Sequence, residues 1–146
     1  MIVQNFRSSR EMLNLKQKNL TNLFNVTYST ISGWETGKDT IPLRQLIKYA
    51  NYFGLSLDYL FGLSSINDSY FPLIIDLNII ANDLRFIRKS RGFTQQDIAK
   101  FLNTSSSTYD HYENARYLIL TSFLYSISLF YTDISIDKIL GRKKKI

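Results

Sequence analysis

Slid against itself by 78 residues, the chain matches itself: Arg7 falls on Arg85, Arg10 on Arg88, Gln17 on Gln95 and Asn25 on Asn103. The same offset carries Ser29 onto Ser107, Thr30 onto Thr108, Trp34 onto Tyr112, Glu35 onto Glu113 and Leu46 onto Leu124. Self-similarity at one fixed offset, without a gap over roughly 45 positions, means two copies of one unit. Beyond Phe53 and Tyr131 the offset becomes 79, so Ser56-Leu57-Asp58 falls on Ser135-Ile136-Asp137, and one inserted residue accounts for the change. Each copy must therefore be a fold that half of this chain can build alone. With 45% hydrophobic and 21% charged residues the chain is globular in composition. It has no cysteine, so disulfides and cysteine-ligated metal sites are excluded, and packing must hold each unit together.

Within the first copy the organising stretch is Gln17 to Gly37. Leu20, Leu23 and Phe24 recur at helical spacing, the run Asn25-Val26-Thr27 interrupts them, and Ile31 and Trp34 resume an apolar stripe. Two short helices joined by a tight turn follow, with Gly37 suited to the left-handed position past the second. So short a connection makes the helices cross at a large angle and stack through Leu20, Leu23, Ile31 and Trp34. The outer face of the second helix, Thr27, Tyr28, Ser29, Ser32 and Gly33, is left free of core duty. A small polar helix face on a rigid elbow fits the major groove of double-stranded DNA.

These residues, with Pro42 and the closing Gly54-Leu55-Ser56-Leu57-Asp58-Tyr59-Leu60, resemble the Cro/CI (XRE-type) helix-turn-helix family over about residues 5 to 63. The resemblance implies an all-α fold of two tandem, five-helix, lambda-repressor-like domains, whose second and third helices form the reading unit. It also implies that Gln17 and the start of the third helix lie near phosphates and bases. The second copy opens its reading unit with Gly92-Phe93-Thr94-Gln95-Gln96-Asp97-Ile98-Ala99, as the family does. It departs later: Tyr112 replaces Trp, Ala115 stands where glycine is expected, and no proline follows. Asp110 and His111 fall in its reading helix, where acidity opposes a phosphate-lined groove.

The spacing predicts a first helix over residues 2 to 14, then the reading unit, a helix started by Pro42 and ended by Gly54, and a short helix capped by Ser56. The expected domains are 1–64 and 77–146, joined by a partly helical linker, 65–76. There Pro72 suits a helix start, and Leu73, Leu77, Ile80, Leu84 and Ile87 run as one stripe into the second copy. Such a lengthened helix would relate the two reading units rigidly.

Arg10 with Glu35, and Arg88 with Glu113, recur at identical spacing. An arginine on the first helix facing a glutamate at the end of the third can clamp the reading helix by a bidentate, charge-assisted bond, a structural pairing in the resembling family. Gln17 and Gln95 stand at helix starts that favour a phosphate, the alternative being a solvated glutamine. Tyr28, Ser29 and Ser32 are the base or sugar contacts expected of the first copy, with Thr27 capping their helix and Lys38, Arg44 and Lys48 as candidates for backbone neutralisation. Ser106 and Ser107 are the corresponding contacts of the second copy. Tyrosine and small hydroxyls filter sequence weakly, so thymine-methyl packing and DNA shape carry part of the selectivity.

The segment Tyr117 to Tyr131 is apolar or aromatic over most of its length. A helix so apolar needs covering on more than one side, which makes Leu120, Phe123, Leu124, Ile127 and Phe130 an expected interface, either a homodimer contact or a docking face. Gly141-Arg142-Lys143-Lys144-Lys145 ends in a basic run that is either a phosphate-following tail or a solvated terminus.

A formal charge of +6 favours an anionic partner. The single histidine, His111, excludes a catalytic triad and a multi-histidine metal site, and no phosphate-loop glycine motif occurs. The expectation is a non-enzymatic, cofactor-free, cytoplasmic regulator of transcription, a repressor by occlusion, with a protein-binding module as the alternative. Arg7 and Arg10 interrupt any signal-peptide core, and no stretch reaches membrane-spanning length. Abundant Asn, Ile, Lys and Tyr match AT-rich codons and point to a bacterial or phage source.

Overall fold

Left-handed residues punctuate this chain and set where its helices stop. The computed structural model describes residues 1–146 and contains ten helices and no sheet. The first unit, Met1–Ser69, holds α1 (Phe6–Met12), α2 (Gln17–Phe24), α3 (Tyr28–Thr36), α4 (Leu43–Phe53) and α5 (Leu57–Leu60). The second, Tyr70–Ile146, holds α6 (Leu77–Ser90), α7 (Gln95–Phe101), α8 (Ser106–Glu113), α9 (Thr121–Tyr131) and α10 (Ile136–Ile139). The chain is all-α, with five helices in each unit.

The turn inside each helix pair is built the same way. Asn25 and Asn103 follow α2 and α7 with φ of 54° and 56°, a conformation asparagine tolerates better than most residues. Thr27 and Ser105 then cap α3 and α8, their side chains accepting from the backbone N–H of Thr30 and Thr108. At the next stops the copies diverge. Gly37 (φ 84°) and Gly54 (φ 65°) end α3 and α4, whereas the equivalent left-handed places in the second unit are filled by Ala115 (φ 58°) and Thr132 (φ 63°).

In the first unit Phe6, Phe24, Trp34 and Tyr49 pack edge to face or tilted, with Phe6 4.9 Å from Tyr49 and Phe24 5.3 Å from Trp34. Leu20, Ile31, Leu46 and Leu57 close the core around them. In the second unit Leu84, Ile98, Tyr109, Leu124, Ile127 and Ile136 are fully buried. The Tyr131 hydroxyl is buried without a hydrogen-bond partner, and the Tyr109 hydroxyl is buried against the Glu113 carboxylate.

Three sequence expectations fail here. The first helix does not span 2–14, because Asn5 is committed elsewhere: its N–H and its Nδ2 donate to the carbonyls of Leu60 and Tyr59 at 2.9 and 2.7 Å. The linker 65–76 contains no helix; α6 begins only at Leu77, where the Asp76 side chain accepts from the N–H of Asn78 and Ile79. Ahead of Pro72 the chain is pushed toward extended geometry, and Phe71 N–H donates to Lys143 O at 2.8 Å beside the isolated Tyr70–Lys144 bridge. The basic tail is accordingly not a free run. Arg142 is buried, its Nη1 3.0 Å from the fully buried Asp137 carboxylate, its Nε 2.9 Å from Phe71 O, and its guanidinium over the Tyr70 ring at 5.4 Å. Only Lys143, Lys144 and Lys145 of that run are exposed.

Candidate nucleic-acid interface

Each reading helix is clamped by an arginine of its unit's first helix, and in the second unit Arg85 also donates to the Glu113 carbonyl. Arg10 Nε donates to Glu35 Oε2 at 2.7 Å, Nη2 to Oε1 at 3.0 Å, and Nη1 to Leu15 O at 2.7 Å. Arg88 does the same: Nε to Glu113 Oε2 at 2.7 Å, Nη2 to Oε1 at 2.8 Å, and Nη1 to Phe93 O at 2.9 Å. One guanidinium thus joins the first helix, the turn before the second and the end of the third. The carboxylates are buried, with Glu35 and Glu113 side chains 1% and 0% exposed, so their charge is matched where water cannot reach it. Burial pushes the Glu113 carboxyl up, but hydrogen bonds led by Arg88 outweigh it and hold the group below its ordinary value. The Glu35 bond dominates for Arg10 and raises it further.

The glutamines that open α2 and α7 join these clamps. Gln17 Nε2 donates to Glu35 Oε1 at 2.9 Å, leaving one amide hydrogen, while its Oε1 is buried without a partner. Gln95 Nε2 reaches two carboxylates, Asp110 Oδ1 at 3.0 Å and Glu113 Oε1 at 3.3 Å. Both of its hydrogens are therefore engaged. A phosphate only accepts, so Gln17 can offer it one donor and Gln95 none without exchange.

On α3 the outer residues Thr27, Tyr28 and Ser29 are exposed, Tyr28 by 63%, and Ser32 is half-buried. Thr27 Oγ1 lies 3.0 Å from the Ser29 hydroxyl, which links the cap to the next position on the face. Lys38 is exposed just past the end of α3, and Arg44 and Lys48 are exposed on α4. Gly33, expected on the free face, is buried: a Cβ there would lie 2.9 Å from Asp39 Oδ2, so the Asp39 side chain covers it. On α8, Ser107 is exposed, while Ser106, Asp110 and His111 are half-buried. His111 Nδ1 is 2.9 Å from Arg116 Nη1, and its ring meets Tyr117 edge on at 5.4 Å.

The apolar face expected of α9 divides. Leu124 and Ile127 are fully buried inside their own unit and are no interface. Phe123 meets Tyr112, and Phe130 stacks with Phe93 and Phe101 at 4.8 and 4.7 Å; both are half-buried, and Leu120 is 53% exposed. The reason is helical periodicity: Leu124, Ile127 and Tyr131 face inward, while the outer side carries Ser122, Tyr125, Ser126 and Leu129. Sequence reading missed the Gln95–Asp110 bond, the Asp39 cover and the Arg142–Asp137 pair. Asp110 was legible as a candidate, lying one helical turn before Glu113 and so on the same side of α8.

Two stacked short helices, a left-handed asparagine in the turn, and a capped second helix with a polar outer side define the helix-turn-helix class, here twice. Comparison with known families agrees: residues 6–60 match a family model described as Helix-turn-helix, and residues 81–140 match one described as Helix-turn-helix domain. The chain belongs to the helix-turn-helix proteins as a tandem pair of such domains, the first of XRE type. No curated protein and no solved structure matches it. Domains of this kind bind DNA in transcription regulation. No helix is long and apolar enough to cross a membrane.

Proposed function

We propose that the protein is a sequence-specific, double-stranded DNA-binding repressor of bacterial or phage type, acting by occluding its operator. The observation that carries this reading is the exposed Thr27-Tyr28-Ser29 start of α3 on a helix whose other end is locked through Glu35 to Arg10 and Gln17. A capped helix N-terminus with small hydroxyls can approach base edges closely, and the Tyr28 ring offers an apolar surface to a thymine methyl. The free amide hydrogen of Gln17 and the ammonium of Lys38 supply donors for phosphates on either side. In the second unit Ser106 and Ser107 take the equivalent places on α8.

The test is selection of bound duplexes from a random library with the full-length protein, followed by footprinting at two salt concentrations. The reading expects an enriched motif and an affinity that falls steeply with salt, because each neutralised phosphate releases counterions. Two half-sites about one helical turn, roughly 34 Å, apart would mean that both reading helices engage. Absence of any enriched sequence would overturn the reading.

A further inference from the structure

Ser32 on α3 and Asp110 on α8 occupy equivalent places in the two units, and the exchange changes what the helix can recognise. In the second unit Gln95 fixes the carboxylate through Oδ1 at 3.0 Å, and Oδ2 makes no hydrogen bond within the protein. Asp110 is half-buried and lies one helical turn past Ser106 and Ser107 on α8. Its neighbours Ser106 and Ser107 are hydroxyls, which donate or accept and so tolerate any base edge. An ionised carboxylate only accepts.

Carrying that oxygen into a groove strips its water, and only a donor offsets the loss. The major-groove donors are the amino groups of cytosine and adenine; guanine O6 and N7 and thymine O4 are acceptors that repel it. Adenine flanks its amino group with acceptors on both sides, its own N7 and the O4 of the paired thymine, whereas cytosine N4 has one on one side only, the O6 of the paired guanine. We infer that Asp110 is a specificity-determining residue that selects cytosine at one position read by the second unit, with Gln95 as its positioning residue. The inference rests on the DNA-binding reading above. It gives the acidic residue a role as a filter: a wrong base leaves Oδ2 desolvated and unpaired, and the penalty discriminates more sharply than a hydroxyl could.

The experiment compares duplex selection and single-site affinities for the full-length protein and its Asp110→Asn, Asp110→Ser and Gln95→Ala forms. The native protein is expected to enrich cytosine at one position, preferring it roughly tenfold or more over thymine there. Asp110→Asn and Asp110→Ser should erase that preference while the other positions of the motif persist. Gln95→Ala should weaken the same preference and no other. A motif left identical by both Asp110 substitutions, or an affinity gain equal for every duplex, would overturn the inference and reduce Asp110 to a repulsive charge. Failure of the native protein to enrich any duplex would instead sink the parent reading, and this one with it.

Discussion

Arg10 and Glu35 meet through two parallel hydrogen bonds of 2.7 and 3.0 Å, in a pocket where the carboxylate is 1% exposed. Arg88 and Glu113 repeat the arrangement at 2.7 and 2.8 Å. Removing one partner of such a pair leaves a buried charge unmatched, which costs about 3–5 kcal/mol. Arg10→Met and Arg88→Met should therefore each lower the stability of their own unit by about 3 kcal/mol or more. Urea titration of the full chain reads this directly. A variant that melts like the native protein but loses DNA affinity would mean that the arginine contacts phosphate instead.

The second unit holds two ordinary residues where the first has glycine. Ala115 and Thr132 have φ of 58° and 63°, and a side chain in that region costs about 1–2 kcal/mol. Ala115→Gly and Thr132→Gly should each raise the stability of the second unit by about 1 kcal/mol. The gain should be larger at Thr132, whose branched side chain suits the left-handed region least. Thermal unfolding of single and double substitutions checks both values and their additivity.

Tyr109 and Tyr131 replace Ile31 and Phe53 of the first unit and bury their hydroxyls beside the Arg88–Glu113 pair. Burial raises both phenols, with the Glu113 charge adding to it, and Tyr131 is pushed up to about 12. A folded-state value above the unfolded one of 10.0 gives stability that is fully present below pH 10.0 and is lost as pH rises through the folded value. The second unit should therefore weaken progressively above pH 10.0. Tyr131→Phe should flatten part of that alkaline loss and cost little at neutral pH, since its hydroxyl has no partner to lose, whereas Tyr109→Phe should cost more because that hydroxyl also supports the Glu113 carboxylate. Denaturant midpoints across the alkaline range would show it.

Arg142 separates from the lysines that follow it. It is bonded to buried Asp137 and to Phe71 O, so Arg142→Gln should destabilise the second unit by about 3 kcal/mol. Replacing Lys143, Lys144 and Lys145 with glutamine should leave stability within about 0.5 kcal/mol. The same urea titration distinguishes the two outcomes.

Repetition made the architecture legible. The 78-residue offset exposed two units, and the caps Thr27 and Ser56 with the stops Gly37 and Gly54 marked helix ends, because each rests on local backbone chemistry. What lay beyond reach depended on distant partners. Asn5 gives its donors to the end of α5, Pro72 lies in an extended segment paired with the chain end, and Arg142 turns inward to Asp137. The apolar surplus of α9 misled for another reason: aromatic rings such as Phe130 close over Phe93 and Phe101 within the unit, satisfying much of the face that composition alone left uncovered.

The most direct test of the central reading is the affinity of native protein and Ser29→Glu for a selected duplex, measured by fluorescence anisotropy alongside the melting temperature. Ser29 is exposed in the first turn of α3, where an acidic side chain suits the helix dipole, so the fold should be untouched. The reading helix, however, would carry a negative charge into the groove. The account predicts a loss of roughly a hundredfold or more in specific affinity with an unchanged melting temperature. Equal affinity of the two proteins would contradict it, since α3 would then not be the surface that meets DNA.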